Sequence, residues 1–509
     1  MNFILLLIIT FFLSLLSIYL VKKFAYVNNF TISQQKDRWH KGVVALYGGF
    51  GFIPVFILAS FFYIWLHLSG DYKLILSLDK NNEIVVLLGI LLGTSLMFVV
   101  GIIDDINNLR VRNKIFFQAV AASIFLTFSD VVFIDGYPLL NTFITYFWFI
   151  GVINAVNLLD NMDGLASGVV IISLLAAIFF ILESSTSVQS FSWKIILLLI
   201  ASVIAFWFYN FPPASIFMGD CGSLPLGFLL ACFCSPNSLN SYFLSVNSNN
   251  HSALIGLAIS VAIIAVPIFD TAFVTITRKL EARKITQGGL DHVSHRLLVL
   301  GAGENKVLMF FYFLSIAGVV TAILIVKYPI YWPPLIIFLL LNMVILGIYL
   351  GSVKATKSDS DSVNFHIKGN QLAEVVLDIG IISVCFYASY MIRFGTNLSI
   401  ELQDLLYISL PIVIGSSLTS FGFFGIYNKK WGYFSISDYL NFMKGVIGAM
   451  IISIAILTLF FRFPDGNSRS VFLIYSLLLF PVSFLARFSF NFLENILVKL
   501  LKINLDNNK

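Results

Sequence analysis

Residues 154–168 read NAVNLLDNMDGLASG. Apolar runs flank them, at 139–153 and at 169–182. Asn154, Asn157, Asp160 and Asp163 recur every three residues between those runs. An aspartate at the centre of a membrane helix costs about 3 kcal/mol. Four such groups are therefore expected where a span ends, not inside one. On a helix the first three fall along one side and drift by about 60° per step. Gly164 then ends the helix or starts a turn. Close helix packing around Gly164 and Gly168 is the plainer alternative, but it leaves three polar side chains on one helix end unexplained.

The rest of the chain agrees with a span ending here. Of its 509 residues, 59% are hydrophobic and 11% are charged, against about 25% charged in a soluble domain. A helix needs about 20 apolar residues to cross hydrocarbon. Fifteen such runs are legible: 2–21, 44–68, 84–103, 114–130, 139–159, 165–182, 193–209, 222–235, 253–277, 306–326, 331–351, 372–393, 405–427, 445–461 and 471–492. The expected fold is an all-α polytopic transmembrane bundle of 11 + 4 spans. The run at 222–235 is the shortest.

Lysine and arginine set the orientation. With the N-terminus outside and the C-terminus inside, the inner loops hold 23 of the 31 Lys and Arg residues. The outer loops hold 7, and Arg487 lies within the last run. The N-terminal segment has no basic start and no small-residue cleavage site, so it reads as a retained span. The net charge of +5 is scattered over short loops and forms no stripe of the kind that binds nucleic acid. Cys221, Cys232, Cys234 and Cys385 show no zinc-type spacing and read as packing residues.

This orientation puts four polar clusters on one face: GIIDDINNLRVRNK (101–114), NLLDNMDG (157–164), NFPPASIFMGDCGS (210–223) and GGLDHVSHRLLVLG (288–301). The outer loop 236–252 has no Asp, Glu, Lys or Arg. Asp104 and Asp105 stand side by side at the end of the third run; close carboxylates repel, which raises one pKa or recruits a cation. A solvated helix end is the alternative for this pair. Arg110, Arg112 and Lys114 follow as membrane anchors or as phosphate ligands. Asp220 sits between two glycines ahead of a new span, which suits Mg²⁺ held by one or two carboxylates plus substrate phosphates or a simple N-cap turn. Asp291, His292, Ser294, His295 and Arg296 lack a third soft ligand for zinc and suit phosphate oxygens better. Carboxylates, a cation site and a basic cluster on one face suggest phosphoryl transfer, a chemistry of positioning and charge neutralisation.

These four motifs, in this order, resemble the bacterial polyprenyl-phosphate N-acetylhexosamine-1-phosphate transferases (glycosyltransferase family 4). The upstream KDRWHKGVVALYGGFG adds Arg38, His40, Gly48 and Gly49 to the likeness, which covers about residues 1–350. The resemblance implies transfer of a sugar 1-phosphate from a UDP-amino sugar to undecaprenyl phosphate, with release of UMP, at the cytoplasmic face of the bacterial inner membrane. It implies Mg²⁺, with Mn²⁺ as an alternative. By motif, Asp220 would hold the metal and Asp104, with Asp105 beside it, would deprotonate the lipid phosphate. Asn154, Asn157, Asp160 and Asp163 would line the nucleotide and metal site, and Lys114 would meet phosphate. His292, His295 and Arg296 would shape the sugar–phosphate end. Many relatives carry adjacent histidines where this chain has Ser294–His295, which favours an O-antigen or capsule substrate over the peptidoglycan pentapeptide.

Domains are expected at 1–351 (transferase), 352–371 (polar, serine-rich linker) and 372–509 (four further helices). Through DIGIISVCFYASYMIRFG (378–395) and FGFFGIYNKKWGYFSISDY (421–439), the last part resembles the four-helix membrane region that precedes either the nucleotide-sugar dehydratase/epimerases of polymer synthesis or a separate class of sugar-1-phosphate transferases. Only some seventeen residues follow its last run, too few for either catalytic domain known to follow such a region, so it is expected to dock partners or handle lipid without catalysis. Arg393, Lys429 and Lys430 are candidates for lipid phosphate or interface anchors. Membrane lipids, a second copy and glycan-assembly proteins are the expected associates. The rival readings are a secondary transporter, whose polar groups concentrate nearer the membrane midplane, and a catalytically inactive scaffold.

Overall fold

The computed structural model describes residues 2–33, 43–68, 83–131, 133, 137–183, 191–236, 252–284, 289, 291–328, 332–351, 365–395, 398–428, 436–461 and 469–483. Arg38, His40, Lys429, Lys430 and the stretch 352–364 lie outside them. Over the described residues, each of the fifteen apolar runs coincides with a helix or a bent helix pair. Eleven helices are long and apolar enough to cross a membrane, or twelve if the bent pair is one span. The chain is thus an all-α polytopic membrane protein. In hydrocarbon a backbone must satisfy its polar groups internally, which only helices and closed barrels achieve.

The described residues form two compact units. The first comprises 1–276, 284–295 and 303–326, and the second 277–283, 296–302 and 327–509. The first unit opens with α1 (Phe3–Val27), a short antiparallel ribbon of β1 (Thr31–Ser33) and β2 (Val43–Ala45), and α2 (Gly49–Leu68). Then come α3 (Glu83–Asn107), α4 (Val111–Phe128), α5 (Pro138–Leu159), α6 (Leu165–Glu183), α7 (Ser192–Asn210) and α8 (Asp220–Phe233). The pair α9 (Ser252–Ile263) and α10 (Ala265–Leu280) follows, the last residues of α10 belonging to the second unit. The short α11 (Val293–Val299) is divided between the units after His295, and α12 (Glu304–Lys327) closes the first.

The centre of the first unit is α8, the weakest of the fifteen runs as a span. Every residue from Cys221 to Phe233 is buried, against α3 and α5 above all, and against α2 and α6. Fourteen residues rise only about 21 Å, short of the roughly 30 Å hydrocarbon layer. A helix wrapped by protein needs no such length, because its ends meet protein instead of lipid. Its neighbours approach at backbone distance. A Cβ at Gly101 of α3 would stand 2.3 Å from the Asp220 carbonyl oxygen, and one at Gly49 would stand 2.3 Å from the Gly222 nitrogen. Trp148 of α5 donates from Nε1 to the Ala231 carbonyl at 3.0 Å.

The bend between α9 and α10 is 79° and has a chemical cause. Pro267 has no N–H for the carbonyl of Ile263 four residues back. Ser173 Oγ donates to that carbonyl at 3.1 Å instead. The substitute comes from α6, so the break is part of the packing.

The second unit holds α13 (Trp332–Gly351), α14 (Phe365–Phe394), α15 (Ile400–Phe423), α16 (Ile436–Phe461) and α17 (Arg469–Ser483). Its core gathers Leu377, Ile382, Phe386, Tyr390, Phe472 and Tyr475. Buried hydroxyls pair across its helices: Ser417 with Tyr475 at 2.8 Å, and Ser416 with Ser453. Two sequence expectations change here. Residues 365–371, given to a linker, are the first turns of α14, because that helix runs on past its apolar stretch. The longest stretch of the second unit starts at Lys327, ahead of the expected boundary after Gly351, and α13 packs on α14.

Gly101→Ala would force the α3–α8 contact apart. We expect a loss of about 1–3 kcal/mol, read as a lowered thermal unfolding midpoint of the detergent-solubilised chain.

Candidate active site

Four helix ends meet at one end of the first unit: the last turns of α3 and α5 and the first turns of α4 and α8. They are assembled by backbone contacts as well as side chains. Residues 215–218 run beside β2, with a parallel bridge between Ala45 and Ile216, and Phe217 N–H donates to the Ala45 carbonyl at 2.9 Å. Gly48 and Gly49 donate to the carbonyls of Phe217 and Met218 at 2.8 and 2.9 Å. The chain reaches these contacts through Tyr47, which has a left-handed φ of 68°. Burial, and after it the Asp105 carboxylate, pushes the Tyr47 phenol above its ordinary value, so it stays protonated.

Asp105 closes the start of α8. Its Oδ1 accepts from the Asp220 N–H at 2.8 Å and its Oδ2 from the Cys221 N–H at 3.0 Å. These are two of the donors that a helix N-terminus leaves without an intrahelical partner. Gly219, at φ 75°, makes this approach possible, since a Cβ there would stand 2.8 Å from Asp105 Oδ2. Asp105 is thus a brace between helices, and both its oxygens are engaged.

The brace sets Asp220 among polar partners. Lys114 Nζ, from the first turn of α4, donates to Asp220 Oδ2 at 3.0 Å and forms an ion pair with Asp104 Oδ2. Asn157 Nδ2 donates to Asp220 Oδ1 at 2.7 Å and to Ser223 Oγ at 2.8 Å. Asp104, 3% exposed, also accepts the Leu109 N–H at 2.8 Å through Oδ1. Three carboxylates and one ammonium thus share a partly buried site next to a helix N-terminus. Lower effective dielectric strengthens each of these interactions.

Other predicted residues stand apart from this cluster. Asn154 lies one turn back on α5 and pairs with the amide of Gln118, at 2.9 Å from its Nδ2 to Gln118 Oε1. Asp160 is the C-cap of α5. Asp163 Oδ2 accepts the Ala214 N–H at 2.8 Å, tying the turn after α5 to the loop before α8. The same turn reaches α11 through Ser294 Oγ, which donates to Asn161 Oδ1 at 2.6 Å. His292 and His295 are buried, with rings 6.0 Å apart in an edge-to-face arrangement. Arg296, in the second unit, donates from Nη1 to the carbonyls of Leu350 and Gly351 at 3.0 and 3.3 Å. It thereby serves the C-terminal turn of α13, where a cation is favoured.

Ser223, Asn161 and Asp270 were not singled out from sequence. Asp270 carried a signal, a lone carboxylate in the apolar run AVPIFDTAFV (265–274). It is 1% exposed, and it accepts from His292 Nδ1 at 2.7 Å and from the Val293 N–H at 3.0 Å.

Among the described residues no group of three His, Cys, Asp or Glu side chains is arranged to hold a metal ion. Two carboxylate oxygens, from Asp104 and Asp220, nevertheless converge on one positive centre, the Lys114 ammonium. The donor set is oxygen-rich, as Mg²⁺ requires.

A helical membrane bundle with an acidic, lysine-bridged cluster at one end defines a class. The family model of glycosyl transferase family 4 matches residues 87–235, from α3 to just past α8. The chain belongs to this family, that of the polyprenyl-phosphate sugar-phosphate transferases. It is 33% identical over 267 residues to the Bacillus subtilis (strain 168) protein named "Probable undecaprenyl-phosphate N-acetylglucosaminyl 1-phosphate transferase", covering 50% of this chain and 69% of that one. It is also 31% identical over 245 residues to the phospho-N-acetylmuramoyl-pentapeptide-transferase of Streptococcus pneumoniae serotype 2 (strain D39 / NCTC 7466), covering 44% of this chain and 70% of the relative. The Streptococcus sanguinis (strain SK36) enzyme of the same name is 33% identical over 247 residues, with 44% and 70% covered.

Asp105→Ala would strand the N–H groups of Asp220 and Cys221. Each unsatisfied group costs about 1–3 kcal/mol. We expect a clear fall in the unfolding temperature of the detergent-solubilised chain.

Proposed function

We propose that this chain transfers an N-acetylhexosamine 1-phosphate, or a related amino-sugar 1-phosphate, from a UDP-sugar to undecaprenyl phosphate, at the cytoplasmic face of the bacterial membrane. The products are the lipid diphosphate sugar and UMP. The observation that carries this reading is the Lys114 ammonium bridging Asp104 and Asp220 where four helix ends meet. The excess of lysine and arginine on the loops expected at that end supports an inner, cytoplasmic position for it.

The contacts support the following roles. Lys114 is the cation that meets donor or acceptor phosphate. Asp104 stands beside the same ammonium, so a lipid phosphate held by Lys114 would lie within its reach as general base. An oxygen of that lipid phosphate forms a bond to the sugar-bearing phosphorus as the bond from that phosphorus to the UMP oxygen breaks. Asp220, fixed by the α8 terminus and by Asn157, would hold Mg²⁺ together with substrate phosphates. The ion would neutralise the charge of the diphosphate and of the departing UMP. Asp105 keeps Asp220 in place, and Asp163 anchors the loop before α8. Ser294, engaged with Asn161, stands where many relatives carry a histidine. This departure favours an O-antigen or capsule sugar over the peptidoglycan pentapeptide.

The test is direct. Membranes containing the chain are incubated with undecaprenyl phosphate, Mg²⁺ and a panel of radiolabelled UDP-sugars, and the lipid is extracted. Label from at least one amino-sugar donor is expected. No label from any donor, with intact protein, overturns the reading. Asp220→Ala should lower transfer by about 10²-fold or more, and EDTA should stop it until Mg²⁺ is restored. Arg393→Ala, at an exposed position of α14, should leave transfer unchanged.

A further inference from the structure

Asp270 sits in an apolar helix and is buried. A buried carboxylate is costly unless it is paired and hydrogen-bonded, and ionisable groups at membrane depth mark function more often than packing. Both its oxygens go to one short segment. Oδ2 takes His292 Nδ1 at 2.7 Å and Oδ1 takes the Val293 N–H at 3.0 Å. The next residue, Ser294, donates to Asn161 in the turn that also carries Asp160 and Asp163. The start of α11 is therefore gripped from two sides, by α10 and by the turn after α5.

This grip has a chemical consequence for His292. A carboxylate only accepts, so the neutral ring must carry its proton on Nδ1 and keep its lone pair on Nε2. We propose that Asp270 is a positioning residue that locks His292 in the Nδ1–H tautomer, so that Nε2 is the acceptor offered to the nucleotide sugar. The tautomer follows from the dyad alone; the role of Nε2 toward a nucleotide sugar rests on the transferase reading above.

An asparagine at 270 would invert the tautomer. Its single carbonyl oxygen is claimed by the Val293 N–H, and its NH₂ then faces Nδ1. Nδ1 must become the acceptor, and the proton moves to Nε2. The shape is nearly unchanged while the hydrogen-bonding sense of Nε2 is reversed.

The full chain is labelled with ¹⁵N-histidine, and the His292 signal among the six histidines is assigned by its loss in His292→Gln. The wild type is expected to show the Nδ1–H tautomer, and Asp270→Asn the Nε2–H tautomer. Wild-type His292 in the Nε2–H form overturns the proposal without any variant at 270. In the transfer assay at saturating donor, Asp270→Asn is expected to lower kcat by about 10²-fold. Added to His292→Gln it should lower kcat no further, since it acts through that ring. An unchanged kcat in Asp270→Asn, or losses that multiply in the double variant, also overturns it. A wild type that labels no lipid defeats the transferase reading, and the tautomer measurement then decides the dyad by itself.

Discussion

The N-terminus of α8 is held by a carboxylate that belongs to another helix. Asp105 spans the gap from α3 and takes the first two N–H groups of α8. Everything chemical about this end of the molecule depends on that grip. It sets the backbone of Asp220, whose side chain then meets Lys114 from α4 and Asn157 from α5. The contact needs bare backbone on both sides, which is why Gly49, Gly101, Gly219 and Gly222 cluster there. Each glycine removes a side chain from a place where another backbone must pass.

The spans were legible because hydrocarbon imposes one rule on every crossing segment: apolar side chains outward and backbone bonds satisfied within the helix. That rule is written residue by residue, so α1 to α3, α5 to α7 and α12 to α16 can be read from hydropathy. It is silent about a helix that never meets lipid. Residues 222–235 looked like a poor span because α8 is judged by its protein neighbours. Likewise the polar start of α14 continues a helix where composition suggested a linker.

The site was legible at the level of motifs but not of roles. The three-residue spacing put Asn154, Asn157 and Asp160 on one side of α5, yet only Asn157 reaches Asp220. A drift of about 60° per step suffices to send Asn154 to Gln118 instead. Asp104 and Asp105 are adjacent in sequence and point roughly 100° apart, so one pairs with Lys114 while the other braces α8. Arg296 looked like a phosphate ligand because it follows two histidines. Its guanidinium serves the last carbonyls of α13, a partner 54 residues away that no local pattern announces. Asp270 and His292 are likewise 22 residues apart. The long-range partner decides what a polar residue does, and spacing along the chain does not record it.

The wrapped position of α8 bears on how the protein is made. The helices it packs against, α2, α3, α5 and α6, all precede it in the chain. When synthesis reaches Asp220, the walls of its slot have already been translated. A short helix that begins with an aspartate and carries Ser223 and Pro225 would be a poor candidate for insertion alone. Chain order delivers it last among its neighbours, into a lined cavity whose carboxylate is waiting for its first two amides.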